Sequence, residues 1–388
     1  MKKTLAAVAV LGAFAGSALA ADVQLYGLID TGLRYLHSDA DTNKDATNSF
    51  SMESGMASGS RFGFKGTEDL GNGLTVGFVL ENGFTSDDGA EKDVFFDRES
   101  SLFLQGGFGK VAFGHMGSIN GGTSSWGKYG MISAFGTSWG SYSAQAGNWA
   151  MGAGMWDNMI SYQTPTFAGF TVYAQYGMGN KVAGTNRNQV AGKYGAENES
   201  SSNRYYALGA TYANGPMNLY FAVDSINYAS ATTEGGETKV ADVDDSLTVT
   251  LGGNFDFEVV KLFAGAQYFD EIQLSKMNGA VQLDNGSLAG KMEGWSLGVS
   301  ASIPAAGGTV LVGAAYLDAE AAGSVTDVAK DDELNRWIVS AGYDYPFSKR
   351  TDVYGVVTYN QDQMDSKTAA NDRDPSVYGV MVGLRHKF

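Results

Sequence analysis

The chain has 388 residues, with 26 basic and 42 acidic side chains and no cysteine. The acidic balance argues against nucleic acid as a partner, and the lack of thiols excludes disulfides and thiolate metal sites. Glycine, at 53 residues, is about twice its usual frequency and proline, at 5, is scarce, so extended β-structure is expected rather than long helices.

Lys2 and Lys3 precede an apolar run over residues 5–15, and Ala18-Leu19-Ala20 closes the segment. These are the charged region, short apolar core and A-x-A cleavage site of an export signal, too short and wrongly flanked for a spanning helix. Residues 1–20 are therefore expected to be removed, leaving 21–388 as a single domain. The mature charge is 26 − 2 = 24 basic against 42 acidic, or −18.

Beyond the signal, the main pattern has period two. In 295–303 every odd residue is apolar (Trp295, Leu297, Val299, Ala301, Ile303) and every even one is small or polar. The stretches 206–212, 247–252, 337–345 (with Ile338 as the exception) and 378–388 alternate likewise. Each such strand has one apolar and one polar face. The polar faces together are too large for a soluble sandwich. Tyrosines also gather near strand ends, at Tyr26, Tyr35, Tyr206, Tyr212, Tyr343, Tyr345, Tyr354 and Tyr359. An apolar band between aromatic girdles, with a polar inside, marks a transmembrane barrel.

The connectors alternate in length. Short turns are read at 69–73, 106–109, 165–169, 214–216, 256–259, 304–308 and 346–350, and long polar loops near 37–57, 85–93, 117–155, 179–202, 230–243, 272–291, 320–332 and 362–375. They separate sixteen strands, an even number that puts both chain ends on the periplasmic side. One connector stands apart. Residues 116–155 hold no Asp, Glu or Pro, one charge (Lys128), and the aromatics Trp126, Tyr129, Phe135, Trp139, Tyr142 and Trp149. So long a structureless segment needs a job, and the expectation is a loop folded inward against the wall of a hollow.

Several stretches resemble the general porins of Gram-negative outer membranes, particularly those of β-proteobacteria. They are VQLYGLID (23–30), SRFGFKGTEDLGNGL (60–74), Phe108-Gly109, SKRT (348–351) and the ending GLRHKF (383–388). The resemblance covers the mature chain. It implies a 16-stranded antiparallel transmembrane β-barrel, a homotrimer, and a third loop folded into the lumen, here 117–155.

The residues expected at the pore constriction are Arg61, Lys65, Glu81, Arg98, His115 and Lys128. Phe62 and Phe64 belong in lipid, so Arg61 and Lys65 face water. Glu81 falls opposite the lipid-facing Leu80 and is placed to anchor the basic side chains. The resemblance makes Arg98 and His115 rungs of a basic wall ladder, with His115 titrating near neutrality. Trp126, Tyr129, Trp139, Tyr142 and Trp149 either pack the third loop to the wall or line a path for sugars or aromatic solutes. Acids at Asp87, Asp88, Glu91, Asp93, Asp331 and Asp332 crowd the outer loops, and oxygen-rich loops suit weakly bound Ca²⁺ or Mg²⁺ bridging to lipopolysaccharide.

Enzymatic chemistry finds no support. The three histidines, His37, His115 and His386, make no triad or metal spacing, and no phosphate-binding loop is present. The sequence therefore reads as an outer-membrane channel, without cofactor, for passive diffusion of small hydrophilic solutes and ions, with mild anion preference. The rivals are a sugar- or aromatic-selective channel and a plugged structural or adhesive barrel.

Overall fold

In the computed structural model the described residues are 22–41, 45–91, 94–136, 145–149, 154–181, 202–228, 231–234, 237–240, 244–273, 291–323, 332–366 and 372–388. The export signal, Trp139, Tyr142, Asp93 and Asp331 lie outside them.

Alternation becomes a wall with two different sides. Leu297 and Val299 are 49% and 60% exposed while Ser296 between Trp295 and Leu297 is 0% exposed. The apolar side chains point out to lipid and the small polar ones point in, which only a closed sheet can offer without bare backbone in the bilayer. The first crossing is β1 (Asp22–Asp39), and the second comes in two pieces, β2 (Thr47–Ser54) and β3 (Arg61–Gly71). There follow β4 (Leu74–Gly83), β5 (Glu99–Gly106), β6 (Gly109–Gly117), β7 (Met155–Gln163), β8 (Phe170–Lys181), β9 (Ser202–Asn214) and β10 (Met217–Asn227). A small hairpin, β11 (Ala231–Glu234) and β12 (Glu237–Val240), stands apart from the wall. The wall continues through β13 (Leu247–Asp256), β14 (Lys261–Gln273), β15 (Lys291–Ala305) and β16 (Gly308–Ala321). It ends with β17 (Glu333–Pro346), β18 (Thr351–Asp365) and β19 (Ser376–Lys387).

Every neighbour in the wall is antiparallel, and β1 pairs with β19 on one side and with β2 and β3 on the other, which closes the barrel. Terminal Phe388 seals the seam by exchanging backbone hydrogen bonds with Gly27 at 3.0 and 3.1 Å. The sheet has seventeen strands; with β2 and β3 counted as one crossing, sixteen segments span. The seven short turns fall where the sequence places them. The loop expected over 37–57 is shorter, because residues 47–54 pair with β1 up to Ser38 and continue the wall.

Two aromatic girdles mark the lipid boundaries. At one end Trp295 lies 5.5 Å from Tyr316 and Trp337 lies 5.0 Å from Tyr359, ring to ring. At the turn end Phe170 meets Tyr212 at 4.4 Å and Phe255 meets Phe257 at 4.4 Å. Tyr26 and Tyr354 are not part of either girdle. Both point inward, with hydroxyls donating to Glu81 and Asp30. A buried carboxylate holds a tyrosine hydroxyl more firmly than an interface does, and that tertiary demand is invisible in the alternation.

The gap between β2 and β3 is a built feature. Gly55 adopts φ +70°, which a side chain disfavours, and its N–H donates to Asp30 O at 2.8 Å. The Asp30 carboxylate then accepts from Ala57 N (2.8 Å), Ser58 N (2.7 Å) and the Tyr354 hydroxyl (2.6 Å). The clamp turns Met56 and Ala57 inward, where they pack with Phe135 of the third loop.

Candidate functional site: the barrel interior

The inner wall carries arginines, each tied to a carboxylate among the described residues. Arg61 on β3 and Arg98 just before β5 share Glu81 of β4, at 3.5 and 2.6 Å. Arg385 on β19 reaches Asp352 (3.0 Å), Asp344 (3.1 Å) and Ser58 Oγ (2.9 Å). Arg34 pairs with Glu53 at 2.6 Å. The Arg61, Arg98 and Glu81 group keeps one net positive charge, because two guanidiniums share one carboxylate. Arg385 adds a third guanidinium beside the inward bulge. The sequence put it on the polar face of the last strand, but nothing local marked it as a site residue.

Lysines behave differently. Lys65 is exposed on the inward face with its Nζ 5.2 Å from the Tyr26 ring centroid. Lys110 on β6 sits over Phe103 and Trp126, and Lys128 on the third loop sits over Tyr173. Lys110 was not among the residues expected from sequence; its inward parity with Ala112 is the signal that would have found it.

His115 requires a correction. It pairs with Ser100, next to the pair Leu102 and Phe113, whose side chains face lipid. The register therefore puts His115 on the outward face, not in a lumenal ladder. Gly114 at φ +136° and a slip between Gly114 and Met116 form a bulge there. The ring is capped by Asp157 Oδ1 at 2.6 Å and the Asp97 carbonyl at 2.9 Å, so it ties together the two feet of the third loop and the end of the loop before β5.

The third loop itself crosses the interior. Ile119 N donates to Gln175 Oε1 of β8 (2.6 Å), Asn120 to Asp224 of β10 (3.1 Å) and Ser125 N to Glu99 of β5 (2.9 Å). Further along, Asn254 of β13 donates to Met131 O (2.9 Å), Gln267 of β14 to the Tyr129 hydroxyl (2.5 Å), and Ala134 N to Ser300 of β15 (2.9 Å). On the return limb, Arg336 of β17, itself paired to Asp362, donates to Gly147 O at 2.8 Å. All these wall side chains lie on inward faces. Gly265 makes room: a Cβ there would meet Ile132 and Trp149 at 3.0 Å. Trp126, Tyr129 and Trp149 are 2%, 1% and 2% exposed, so they pack the loop to the wall rather than line a path.

Among the described residues no group of three or more His, Cys, Asp or Glu could hold a metal ion; Asp93 and Asp331 of the expected rim acids lie outside them. Asp88 spends its oxygen on Ala90 N (2.9 Å) and the Thr85 hydroxyl, and these bonds, the hydroxyl first, hold its carboxyl below the usual range. Asp332 accepts from Ser366 Oγ at 2.7 Å.

A closed barrel with a lipid-facing apolar band, two aromatic girdles and a charged interior narrowed by an inward loop defines a membrane channel. Comparison with known proteins bears on which kind. A family profile described as Gram-negative porin matches residues 6–365. The chain is 32% identical to an outer membrane porin protein of Bordetella pertussis and 30% identical to outer membrane porin protein 32 of Delftia acidovorans, each match covering 100% of both chains. Among solved structures it matches the anion-selective porin from Comamonas acidovorans at TM-score 0.65 and 26% identity, over 95% of this chain and 100% of that one. The chain belongs to the Gram-negative porins, and its barrel is a multi-pass protein of the bacterial outer membrane.

Proposed function

We propose that this porin passes small hydrophilic solutes and ions by passive diffusion, with a modest preference for anions set at the level of Arg61, Arg98 and Glu81. The carrying observation is that two guanidiniums share the Glu81 carboxylate. On this proposal that net positive charge acts at the narrow part of the passage, where ions shed water. Lys65, exposed on the same inward face as Arg61, adds to it. A relative matched over its full length is an anion-selective porin, which supports the sign. No step of this function needs a catalytic group.

Association as a homotrimer is part of the same proposal, on the family resemblance. It fits a cleft of about 410 Å³ on the outer face of the barrel, lined by Phe62, Asn82, Phe84 and the exposed Phe95. Current through single channels in a planar bilayer tests the whole reading. A diffusion channel conducts steadily in simple salts. Block by a sugar would favour a sugar channel, and silence would favour a plugged barrel.

A further inference from the structure

The inner-wall arginines are paired with carboxylates; two lysines beside the third loop are not. Lys110 Nζ lies 4.1 Å from the Phe103 ring centroid and 5.1 Å from that of Trp126, and Lys128 Nζ lies 5.2 Å from that of Tyr173. Among the described residues neither ammonium has a carboxylate within 4.0 Å. Glu99 is the acid that acts on Lys110, but its oxygens are already taken by Ser125 N at 2.9 Å, Ser125 Oγ at 3.0 Å and Ser101 Oγ at 2.7 Å. The two lysines are close enough to repel. Burial, and next the Lys110 charge, pull the Lys128 amine below the usual lysine range.

This arrangement has a chemical logic. An aromatic face stabilises an ammonium through its quadrupole without cancelling the charge or consuming all three N–H donors. A carboxylate would do both. Two mutually repelling ammoniums held in this way are relieved when an anion comes between them, and a doubly charged one gains most. Lysine is a point-charge binder with rotatable donors, suited to an oxyanion that must also leave. Both side chains are only half-buried, so neither ammonium is sealed from solvent.

We propose that Lys110 and Lys128, held on Phe103, Trp126 and Tyr173, form a resting site for small multivalent oxyanions of the phosphate class on the channel wall. The site rests on the reading of the barrel as an open channel. It is distinct from the Arg61, Arg98 and Glu81 group, where the cations already share an anion.

The test is chloride current through the purified porin in a planar bilayer, with inorganic phosphate added at constant ionic strength. Phosphate should reduce wild-type current saturably. Lys110→Met and Lys128→Met should each raise the half-inhibiting concentration by about tenfold, the scale expected from losing one charged hydrogen-bond partner. The double variant should lose saturable inhibition. Lys110→Arg should retain most of it. Lys261→Met, which removes one positive charge beside a periplasmic turn, should behave as wild type. The proposal is overturned if wild type shows no saturable inhibition, if the double variant is inhibited like wild type, or if Lys261→Met has the same effect as the pair. Absence of chloride current in the wild type would instead overturn the channel reading, so the two failures are distinguishable.

Discussion

Arg98 Nε lies 2.6 Å from Glu81 Oε1, while Arg61 Nε approaches the other oxygen of the same carboxylate at 3.5 Å. One acid thus orients two cations, and the Tyr26 hydroxyl donates to Glu81 Oε2 at 3.0 Å to hold it in place. Glu81→Gln removes the negative charge and keeps the shape. It should strengthen anion preference, read as a larger anion-side reversal potential. A shift towards cations would show that the group does not face the ion path.

The buried pair Arg336 and Asp362 anchors the return limb of the third loop through Gly147 O. Arg336→Met leaves Asp362 buried without its cation and should cost about 3–5 kcal/mol, read as a lower temperature for loss of the folded form in detergent. Arg336→Met with Asp362→Leu should recover most of that stability. Current noise should stay high in both, because Gly147 O remains without its donor. Quiet wild-type current in the double variant would show that this anchor does not restrain the loop.

Tyr354→Phe removes one of three donors to the fully buried Asp30 carboxylate. The expected loss is about 1–3 kcal/mol, visible in the same thermal assay. Unchanged stability would mean the inward bulge after β2 stands without the clamp.

The fold was legible because a barrel wall is written in period two, and one face must suit lipid. The sixteen crossings, the short turns and the inward third loop all follow from that pattern and from the acid-free stretch around Lys128. Residue roles were less legible. His115 shares parity with Phe113, so its outward position was in the sequence, but the family resemblance pointed the other way. Trp126, Tyr129 and Trp149 leave lining open on sequence alone, although packing is the commoner role of such residues, and their burial against the wall decides for packing. Arg385, Arg336 and Lys110 become notable through partners far away in the chain, and such pairings have no local signature.

The pH response changes with the placement of His115. A lumenal histidine would raise anion preference as it gained charge in mild acid. An outward ring held by Asp157 should not, so His115→Gln should leave the selectivity between mild acid and neutrality as in wild type. In alkali the Lys128 amine, held below the usual lysine range, should lose its charge earlier than exposed lysines. Anion preference should then begin to fall at a lower pH than the titration of exposed lysines would set, and less so in Lys128→Met. A selectivity change in mild acid that vanishes in His115→Gln would restore the lumenal reading.

Charge selectivity tests the central claim most directly, because the whole-chain charge of −16 and the local charge predict opposite signs. At physiological salt the screening length is about 8 Å, so loop acids outside the barrel act weakly on an ion beside Arg61 and Arg98. The measurement is reversal potential across a salt gradient for wild type, Arg61→Ala and Arg98→Ala. The account predicts anion preference in the wild type and a shift towards cations in each variant. Cation preference in the wild type at physiological salt, or no shift in either variant, would contradict it.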